Sequence, residues 1–308
     1  MFRQAQIPSN RFDFLSSMKQ ISILGCGWLG LPLAQQFIRQ GFQIKGATTS
    51  ESKLSVFQNA GIQPFLLSIS SDGIEGNIHS FLKDSEILIL NIPPKLRGDA
   101  QDNFVDKVRN VMTAVEASTI AKVLFVSSTS VFPDTNETIT ESTMPNPDSE
   151  SGSQLFQAEQ LLNNSIHFQT TVVRFGGLIG ENRHPIHFLS GRKNIENPDA
   201  PINLIHLDDC IGILQKIIEK NIWNETFNAV TPFHPSRKTY YTQKAMALNL
   251  AVPEFITDKK SVGKTILSEK VSAVLGYTFI QNQLKLKARI KKAVDSKIEA
   301  IGLPIPAL

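Results

Sequence analysis

The chain has 308 residues, of which 41% are hydrophobic and 19% charged, and its 31 basic and 28 acidic residues give a net charge of +3. This length and composition suit one large α/β unit or a core domain with a smaller lobe. Because basic and acidic residues are nearly balanced in number, the net charge argues against nucleic acid or an anionic membrane as a partner. No apolar stretch approaches the ~20 residues that cross a bilayer. The two cysteines, Cys26 and Cys210, fit a reduced, cytoplasmic setting.

The first predicted strand follows a short leading segment. Residues 1–17 lack the uninterrupted apolar run of a signal peptide, and we expect them to be a poorly ordered extension. Met18 then begins M-K-Q-I-S-I-L-G, which leads into a strand over Ile21–Leu24. Directly behind this strand stands G-C-G-W-L-G, with three glycines at the spacing G-x-G-x-x-G, and a helix is predicted over Leu29–Gln40.

This glycine loop predicts a dinucleotide cradle rather than a turn whose small residues serve only packing. Gly25 permits the tight turn, Gly27 lets the backbone approach a pyrophosphate, and Gly30 lets the helix pack closely on the strand. The start of the helix adds amide donors and a positive dipole for phosphate. The prediction fails if the side chain of Trp28 or Leu29 fills the pocket. The predicted cofactor-binding residues of the loop are Gly25, Cys26, Gly27, Trp28, Leu29 and Gly30.

Strands and helices continue to alternate along the chain. Strands are predicted over Phe42–Ala47, Phe65–Ile69, Ile87–Ile92, Lys122–Val126 and Thr171–Phe175. Helices are predicted over Ser52–Ala60, Asp99–Ser118 and Gln154–Asn164, and a loop over Pro133–Gly152. This alternation predicts parallel βαβ units in a Rossmann-type, doubly wound α/β sheet.

The pattern loosens towards the C-terminus. The polar segment Glu181–Ala200 and a lysine-rich stretch from Lys259 predict a smaller substrate lobe. We therefore expect a dinucleotide-binding Rossmann domain over 18–180 plus about 202–230, and a substrate lobe over 181–201 plus 231–308. The lysine-rich stretch lacks interleaved aromatic residues, so it predicts a solvated helix face rather than a nucleic-acid site.

The end of the second predicted strand bears on the choice between NAD and NADP. NAD-binding folds usually place Asp or Glu there, but residues 31–50 contain no acidic side chain. Hydroxyl groups and Lys53 stand there instead, and a lysine can face a 2′-phosphate, which favours NADP. The alternative is that the hydroxyls only cap a helix, and Glu51 would favour NAD if its loop turned inward. The predicted contacts are Thr48, Thr49, Ser50 and Lys53.

The end of the fourth predicted strand completes the expected cofactor site. Open α/β sheets bind ligands at the carboxyl ends of their strands, so Asn91, Ile92 and Pro93 are predicted to line the ribose or nicotinamide end. A metal site is not predicted, because the two cysteines are far apart in sequence and the histidines lack ligand spacing.

Several segments, in order from about Met18 to Phe279, resemble the short-chain dehydrogenase/reductase superfamily and its NAD-dependent epimerase/dehydratase-like members. The family's fifth strand, with its catalytic Ser or Thr, resembles K-V-L-F-V-S-S-T-S-V-F, and its sixth strand resembles T-V-V-R-F-G-G-L-I-G-E-N-R. Three later family segments resemble I-N-L-I-H-L-D-D-C-I, E-T-F-N-A-V and G-K-T-I-L-S-E-K-V-S-A-V-L-G-Y-T-F. The resemblance implies a Rossmann-type fold, an NAD(P) cofactor and a small carbonyl or hydroxyl substrate such as a nucleotide sugar.

The resemblance also implies roles for particular residues. Ser128, with Thr129 second, would contact a substrate oxygen near the nicotinamide, although hydroxyls at a strand end can also satisfy backbone groups. Arg183 matches the arginine that binds anionic substrates in the family, and it could pair with a phosphate or carboxylate in a bidentate manner. His206 would fix the start of a helix together with Asp208.

The chain departs from the family at its catalytic dyad, a Tyr followed four residues later by a Lys. The corresponding helix reads S-G-S-Q-L-F-Q-A-E-Q-L-L, which puts Ser151 at the Tyr position and Leu155 at the Lys position. No tyrosine precedes Tyr240, and no lysine stands between Lys122 and Lys193. Without a lysine, a serine hydroxyl is a poor proton relay near neutrality, because its pKa lies far above the ~10 of tyrosine.

Two classes of function follow from this departure. The chain is either an NAD(P)-dependent oxidoreductase or epimerase-like enzyme with another acid/base group, or a non-catalytic NAD(P)-binding regulator or scaffold. His184 or His187, in E-N-R-H-P-I-H-F, could be the replacement acid, because histidine titrates near neutrality; the alternative is a solvated loop. A hydroxyacid-dehydrogenase type of enzyme is a third possibility, but its usual lysine is not identifiable. The expected partner is a small-molecule substrate, and the expected assembly is a monomer or homodimer.

Overall fold

A computed structural model of the chain describes residues 20–94 and 103–280. The predicted extension of residues 1–17 and the part of the lysine-rich stretch that follows residue 280 lie outside this range. The strands are β1 (Gln20–Leu24), β2 (Gln43–Thr48), β3 (Gln63–Leu66), β4 (Ser68–Ile69), β5 (Ile74–Glu75), β6 (Ile87–Leu90), β7 (Lys122–Ser128), β8 (Thr138–Ile139), β9 (Gln169–Phe175), β10 (Gly177–Ile179), β11 (Leu204–His206), β12 (Thr226–Ala229) and β13 (Thr265–Ile266). The helices are α1 (Gly30–Arg39), α2 (Leu54–Asn59), α3 (Ile78–Leu82), α4 (Phe104–Glu116), α5 (Glu150–Asn163), α6 (Ile186–Leu189), α7 (Leu207–Glu219), α8 (Arg237–Ala247) and α9 (Glu269–Leu275).

Seven of these strands form one sheet in the order β12-β9-β7-β6-β1-β2-β3. The chain runs outward from β1 through β2 to β3 and then continues on the other side of β1 with β6 and β7, each of these pairs being parallel. The strand order therefore reverses between β1 and β6. The predicted Rossmann-type, doubly wound α/β fold is confirmed, and a reversal of this kind is where such sheets leave a crevice for a ligand.

The first helix shows how the sequence produces these elements. Leu33, Ala34 and Phe37 recur at helical spacing on α1 and are fully buried, so one face of the helix covers the sheet. The helix is followed by Gly41, whose φ of +92° suits glycine and whose N–H donates to the carbonyl oxygen of Ile38 at 2.9 Å. The predicted helix and its glycine stop are thus both present.

One interior position of the sheet carries a lysine. Lys45 on β2 is 6% exposed, and its ammonium group donates to the carbonyl oxygens of Ser80 at 2.9 Å and Lys83 at 2.5 Å. Burial lowers the pKa of Lys45, while the nearby charge of Asp84 opposes this effect. The lysine satisfies carbonyl groups at the end of α3 that lack an intrahelical partner, so its role is structural.

Several predicted elements have different boundaries in the structure, and the clearest differences concern a strand, a helix and a loop. The strand predicted over Phe65–Ile69 is divided, because β3 ends at Leu66 and β4 pairs antiparallel with β5. The helix predicted from Gln154 begins at Glu150, and the loop predicted over Pro133–Gly152 also contains β8, which pairs with β13. The earlier helix start has a local cause, since the Ser149 hydroxyl accepts a hydrogen bond from the N–H of Gly152 at 3.2 Å.

The described chain divides into two compact units. The first comprises the residues up to Ser127 with Gln154–Val172 and Ile222–Glu225, and the second comprises Ser128–Ser153, Val173–Asn221 and the residues from Thr226. The second unit has its own apolar core, formed by Ile186, Ile202, Leu204, Tyr240, Tyr241 and Ala245. The Rossmann-domain and substrate-lobe boundaries stay a prediction.

Within residues 20–94 and 103–280, no helix has the length and apolar character needed to span a bilayer.

Candidate functional site

The glycine loop lies between β1 and α1, at the reversal of strand order. Gly25 has a φ of +94°, and a Cβ atom there would stand 2.1 Å from the carbonyl oxygen of Asn91. A Cβ on Gly30 would stand 2.5 Å from the carbonyl oxygen of Gly25. Backbone therefore packs directly on backbone at both positions, and neither tolerates a side chain.

Gly27 is different from Gly25 and Gly30, the other two glycines of the motif. A Cβ on Gly27 would meet no atom within 4 Å outside the adjacent residues, although its φ is not in the left-handed region. No atom of Leu29 lies within 4 Å of that Cβ position, and the Leu29 side chain is 3% exposed. Trp28, the chain neighbour of Gly27, is half-buried. Leu29 is also the N-cap residue of α1 and forms no side-chain cap, so no side chain from that position competes for the first amides of the helix.

Asn91 connects the glycine loop to the neighbouring strand. Its main-chain N–H donates to the carbonyl oxygen of Leu24 at 2.8 Å, and its side-chain Nδ2 donates to that of Gly25 at 2.9 Å. The structure therefore brings Asn91, and with it the partly exposed Ile92 and the exposed Pro93, beside the loop. The sequence predicted a lining role for Asn91 and did not reveal that its side chain also holds the loop in shape.

The residues after β2 form a polar turn. The Thr48 hydroxyl accepts from the N–H of Ser50 at 3.1 Å, and the hydroxyls of Ser50 and Ser52 lie 2.9 Å apart. Two of the three predicted hydroxyls thus have local partners, whereas Thr49 is exposed. Lys53 is exposed, and its positive charge acts on the thiol of the glycine loop, so the lysine lies on that side of the turn.

Cys26 contributes its main chain rather than its thiol to the loop surface. Its side chain is 3% exposed, and a Cβ on Gly46 would be 3.2 Å from its Sγ atom. The Cys26 N–H donates to the carbonyl oxygen of Ala47 at 3.1 Å. Burial raises the pKa of the Cys26 thiol to about 12, and the charge of Lys53 opposes this only in part. The thiol is therefore protonated and unreactive near neutrality.

Helix α5, at which the resemblance predicts the dyad position, contains no tyrosine and no lysine. Leu155 on α5 is 4% exposed and belongs to the core of the first unit, so it offers no polar group to a ribose. The neighbouring Gln154 is also buried, and its side-chain oxygen accepts from the N–H of Phe104 at 2.7 Å. Ser151 lies one helical turn before Leu155 and is partly exposed.

The end of β7 presents consecutive hydroxyl groups with different partners. Ser127 is buried and donates to the Glu159 carboxylate at 2.6 Å, a buried pair that the sequence did not predict. Ser128 accepts from the N–H of Ser130 at 3.1 Å and so caps the 3-10 turn Thr129–Val131. The Ser128 oxygen thus satisfies a backbone group, and its own hydrogen has no acceptor among residues 20–94 and 103–280.

In the second unit, helix α7 begins at a histidine cap. His206 Nδ1 accepts from the N–H of Asp208 at 3.2 Å, the arrangement that the family resemblance implies. The next residue, Asp209, is fully buried and accepts from the Tyr277 hydroxyl at 2.9 Å and from the N–H of Ile280 at 2.7 Å. This carboxylate fastens the segment after α9 to α7, which nothing in the sequence indicated.

Arg183 and His184 are adjacent in sequence but have opposite surroundings. Arg183 is exposed, and its charge acts on the Cys210 thiol. His184 is 7% exposed; its Nδ1 accepts from the N–H of Ile186 at 3.1 Å, and its Nε2 lies 2.9 Å from the Tyr240 hydroxyl. A solvated loop therefore does not describe His184, whereas His187 is exposed.

In the part of the chain that the structure describes, no group of three or more His, Cys, Asp or Glu side chains could hold a metal ion.

Comparison with known proteins places this geometry among nucleotide-binding folds. A family model described as NAD(P)H-binding matches residues 25–202, more than half of the chain. Protein YeeZ of Escherichia coli K12 is 30% identical over 264 residues, which cover 85% of this chain and 96% of YeeZ.

Two solved structures show the same fold at low sequence identity. The UDP-glucuronic acid 4-epimerase of Bacillus cereus, in complex with NAD, has a TM-score of 0.71 and 18% identity, over 84% of this chain and 91% of that one. A short-chain dehydrogenase/reductase superfamily protein from Agrobacterium tumefaciens with bound NAD has a TM-score of 0.72 and 14% identity, over 91% and 99%.

Proposed function

The chain belongs to the NAD(P)H-binding family, and on that premise we propose that it is an atypical short-chain dehydrogenase/reductase. Its activity would be that of an NAD(P)-dependent oxidoreductase or epimerase on a small carbonyl or hydroxyl compound, such as a nucleotide sugar. The observation that carries this proposal is the open space at Gly27, between two glycines whose Cβ positions are closed by backbone. Space retained where packing does not need it supports a ligand that approaches the backbone.

The residues of the loop fit a dinucleotide. The main chain of Gly25–Gly30 and the first amides of α1 would hold the pyrophosphate, since the N-cap Leu29 supplies no competing side-chain acceptor. Asn91, Ile92 and Pro93 would line the neighbouring ribose. The bound cofactor would supply or accept a hydride, and the chain's own task is to fix the substrate beside it.

We further propose NADP rather than NAD as the preferred cofactor. The end of β2 carries no carboxylate, and Glu51 is exposed at the first position of the following 3-10 turn. Lys53 supports the preference, because its charge reaches the glycine loop and could pair with a 2′-phosphate. Exposed Thr49 adds a hydroxyl donor on the same turn.

Substrate contacts are proposed for Ser128, Thr129 and Arg183. The Ser128 oxygen accepts from Ser130, which leaves its hydrogen to donate to a substrate oxygen, and Thr129 is the second candidate. Neither hydroxyl is an efficient proton relay without a lysine, so turnover would be slow or would use an acid supplied elsewhere. The exposed Arg183 is the proposed partner of an anionic substrate group.

A second candidate function is a non-catalytic NAD(P)-binding regulator or scaffold. The observation that favours it is Leu155, a buried apolar side chain at the position where the family's lysine would hold the ribose. In this case the chain would bind the cofactor at the same loop without turning it over.

A titration with NADPH and with NADH, followed by nicotinamide fluorescence, tests both candidates. Enhanced fluorescence is expected, and no change with either nucleotide would reject the two functions together. Turnover of bound cofactor with a panel of aldehydes and nucleotide sugars then separates enzyme from regulator. Ser128→Ala should abolish any turnover while leaving the fluorescence titration unchanged, and full turnover in this variant would remove the role proposed for Ser128.

A further inference from the structure

The second unit contains three basic side chains that form no ion pair with any residue the structure describes. His184 lies two residues before α6, His187 lies within α6, Lys244 lies on α8, and these two helices pack against each other. Both Lys244 and His187 act electrostatically on His184, and among residues 20–94 and 103–280 no carboxylate opposes them there. We call these three residues the basic cluster. Their convergence is unfavourable unless something negative joins them.

The hydrogen bonds around His184 fix its protonation. Its Nδ1 accepts from the N–H of Ile186, so the neutral ring carries its hydrogen on Nε2 and donates to the Tyr240 oxygen. Burial, together with the positive charges of Lys244 and His187, lowers the pKa of His184 to about 4. The hydroxyl hydrogen of Tyr240 is then a donor that has no acceptor within the described ranges.

Lys244 differs from several other lysines of this unit, which form ion pairs. Lys193, Lys259 and Lys264 each pair with a carboxylate, at 3.2, 3.6 and 3.2 Å respectively. Lys244 is half-buried, and burial lowers its pKa with no opposing contribution from an acid. Among the residues that the structure describes, it forms no ion pair. Removing a charge from water without compensation costs free energy, so such a lysine is a candidate for a functional site.

We infer that the basic cluster binds an anionic oxygen group of the substrate, either a carboxylate or a phosphate. Lys244 would supply the charge, the His187 imidazole a further polar contact, and the Tyr240 hydroxyl a further donor. The inference deepens the proposed function and rests on it for the identity of the ligand as a substrate. It adds a subsite on α6 and α8 to the proposed contact at Arg183.

The test uses inorganic phosphate and acetate as probes on the full chain without added nucleotide, with binding followed by thermal denaturation. The variant is Lys244→Gln, and the matched control is Lys238→Gln, which removes the same charge from an exposed position on the same helix. Phosphate or acetate should raise the melting temperature of the wild type and of Lys238→Gln. Binding to Lys244→Gln should be about tenfold weaker.

Three results would overturn the inference. The first is that neither phosphate nor acetate binds, and the second is that Lys244→Gln and Lys238→Gln weaken probe binding equally. The third is that Gly27→Ala removes phosphate binding while Lys244→Gln leaves it intact, because the phosphate would then bind at the glycine loop. Without probes, Lys244→Gln should be at least as stable as the wild type, since it removes an unpaired half-buried charge; a lower stability would contradict the premise. An NADPH titration of the same variants separates this outcome from failure of the proposed function, because Lys244→Gln should bind NADPH like the wild type.

Discussion

The glycine loop and the basic cluster are two candidate binding regions with opposite designs. In the loop, the ligand space exists because a side chain is missing at Gly27, and the shape is held by backbone contacts of Gly25 and Gly30. In the basic cluster, the proposed ligand preference comes from side chains that form no ion pair among the described residues. His184 contacts Tyr240, which lies 56 positions away in sequence on the helix that carries Lys244. A site made of backbone can be encoded in six consecutive residues, whereas a site made of side-chain charge requires the packing of distant helices.

The sharpest separation of packing from binding is expected within the loop itself. Gly25→Ala should lower the free energy of unfolding by at least ~3 kcal/mol, because its Cβ would collide with backbone at a positive φ. Gly27→Ala should change stability by less than ~0.5 kcal/mol, because its Cβ meets open space. The same variant should weaken NADPH binding about 10- to 100-fold.

Chemical denaturation and NADPH titration of the two variants measure these effects. A Gly27→Ala protein that unfolds as easily as Gly25→Ala would show that the space is needed for folding. A Gly27→Ala protein that binds NADPH normally would remove the loop as the pyrophosphate site.

The basic cluster should reveal itself in the pH dependence of stability. Folding lowers the pKa of His184 from 6.5 to about 4, so the unfolded chain binds this proton more readily. The free energy of unfolding should therefore fall as the pH is lowered from 6.5 towards 4, by up to about 3 kcal/mol, and then level off for this group. Charges facing the ring come from Lys244 and His187, and the uncharged phenols of Tyr240 and Tyr241 also pack on it.

Denaturation at a series of pH values measures this slope, and His184→Gln should flatten it. The exposed His187 provides the control, because His187→Gln should keep most of the slope, which the burial of His184 causes in the main. An equally steep slope in His184→Gln would assign the acid sensitivity to other groups.

A third prediction concerns the buried carboxylate of Asp209, which accepts hydrogen bonds in the same unit, in contrast to the Lys244 ammonium group of the basic cluster. Tyr277→Phe removes a hydrogen bond from the buried Asp209 carboxylate, and it should cost about 1–3 kcal/mol of stability. Tyr241→Phe is the matched control, because its hydroxyl makes no hydrogen bond in the described part of the chain. Thermal unfolding of both variants is the measurement, and equal losses would contradict the role of the Tyr277 bond.

The smallest expected effect concerns a side chain beside the glycine loop. Lys53→Gln should weaken NADPH binding about fivefold and leave NADH binding unchanged, because only NADPH carries the 2′-phosphate. Lys83→Gln, an exposed lysine of the first unit, provides the control. If Lys53→Gln affected both nucleotides alike, or neither, the preference for NADP would lose its support.

The sequence by itself determined the alternation of strands and helices, the Rossmann-type fold and the position of the glycine loop, because each depends on neighbouring residues or regular spacing. Together with the family resemblance, it also indicated that the usual Tyr and Lys are absent, since no tyrosine precedes Tyr240 and no lysine stands between Lys122 and Lys193. Local capping was within reach as well, as the Ser149 hydroxyl shows at the start of α5.

Only the tertiary structure decided which polar side chains are buried and what they contact. The sequence left His184 open between a solvated loop residue and an acid, and gave Asn91 and Lys244 no particular partners. Packing makes His184 a buried, neutral donor, makes Asn91 a brace for the glycine loop, and leaves Lys244 half-buried without a carboxylate. The physical reason is that burial and electrostatic pairing depend on distances between segments far apart in the chain, which local spacing does not specify.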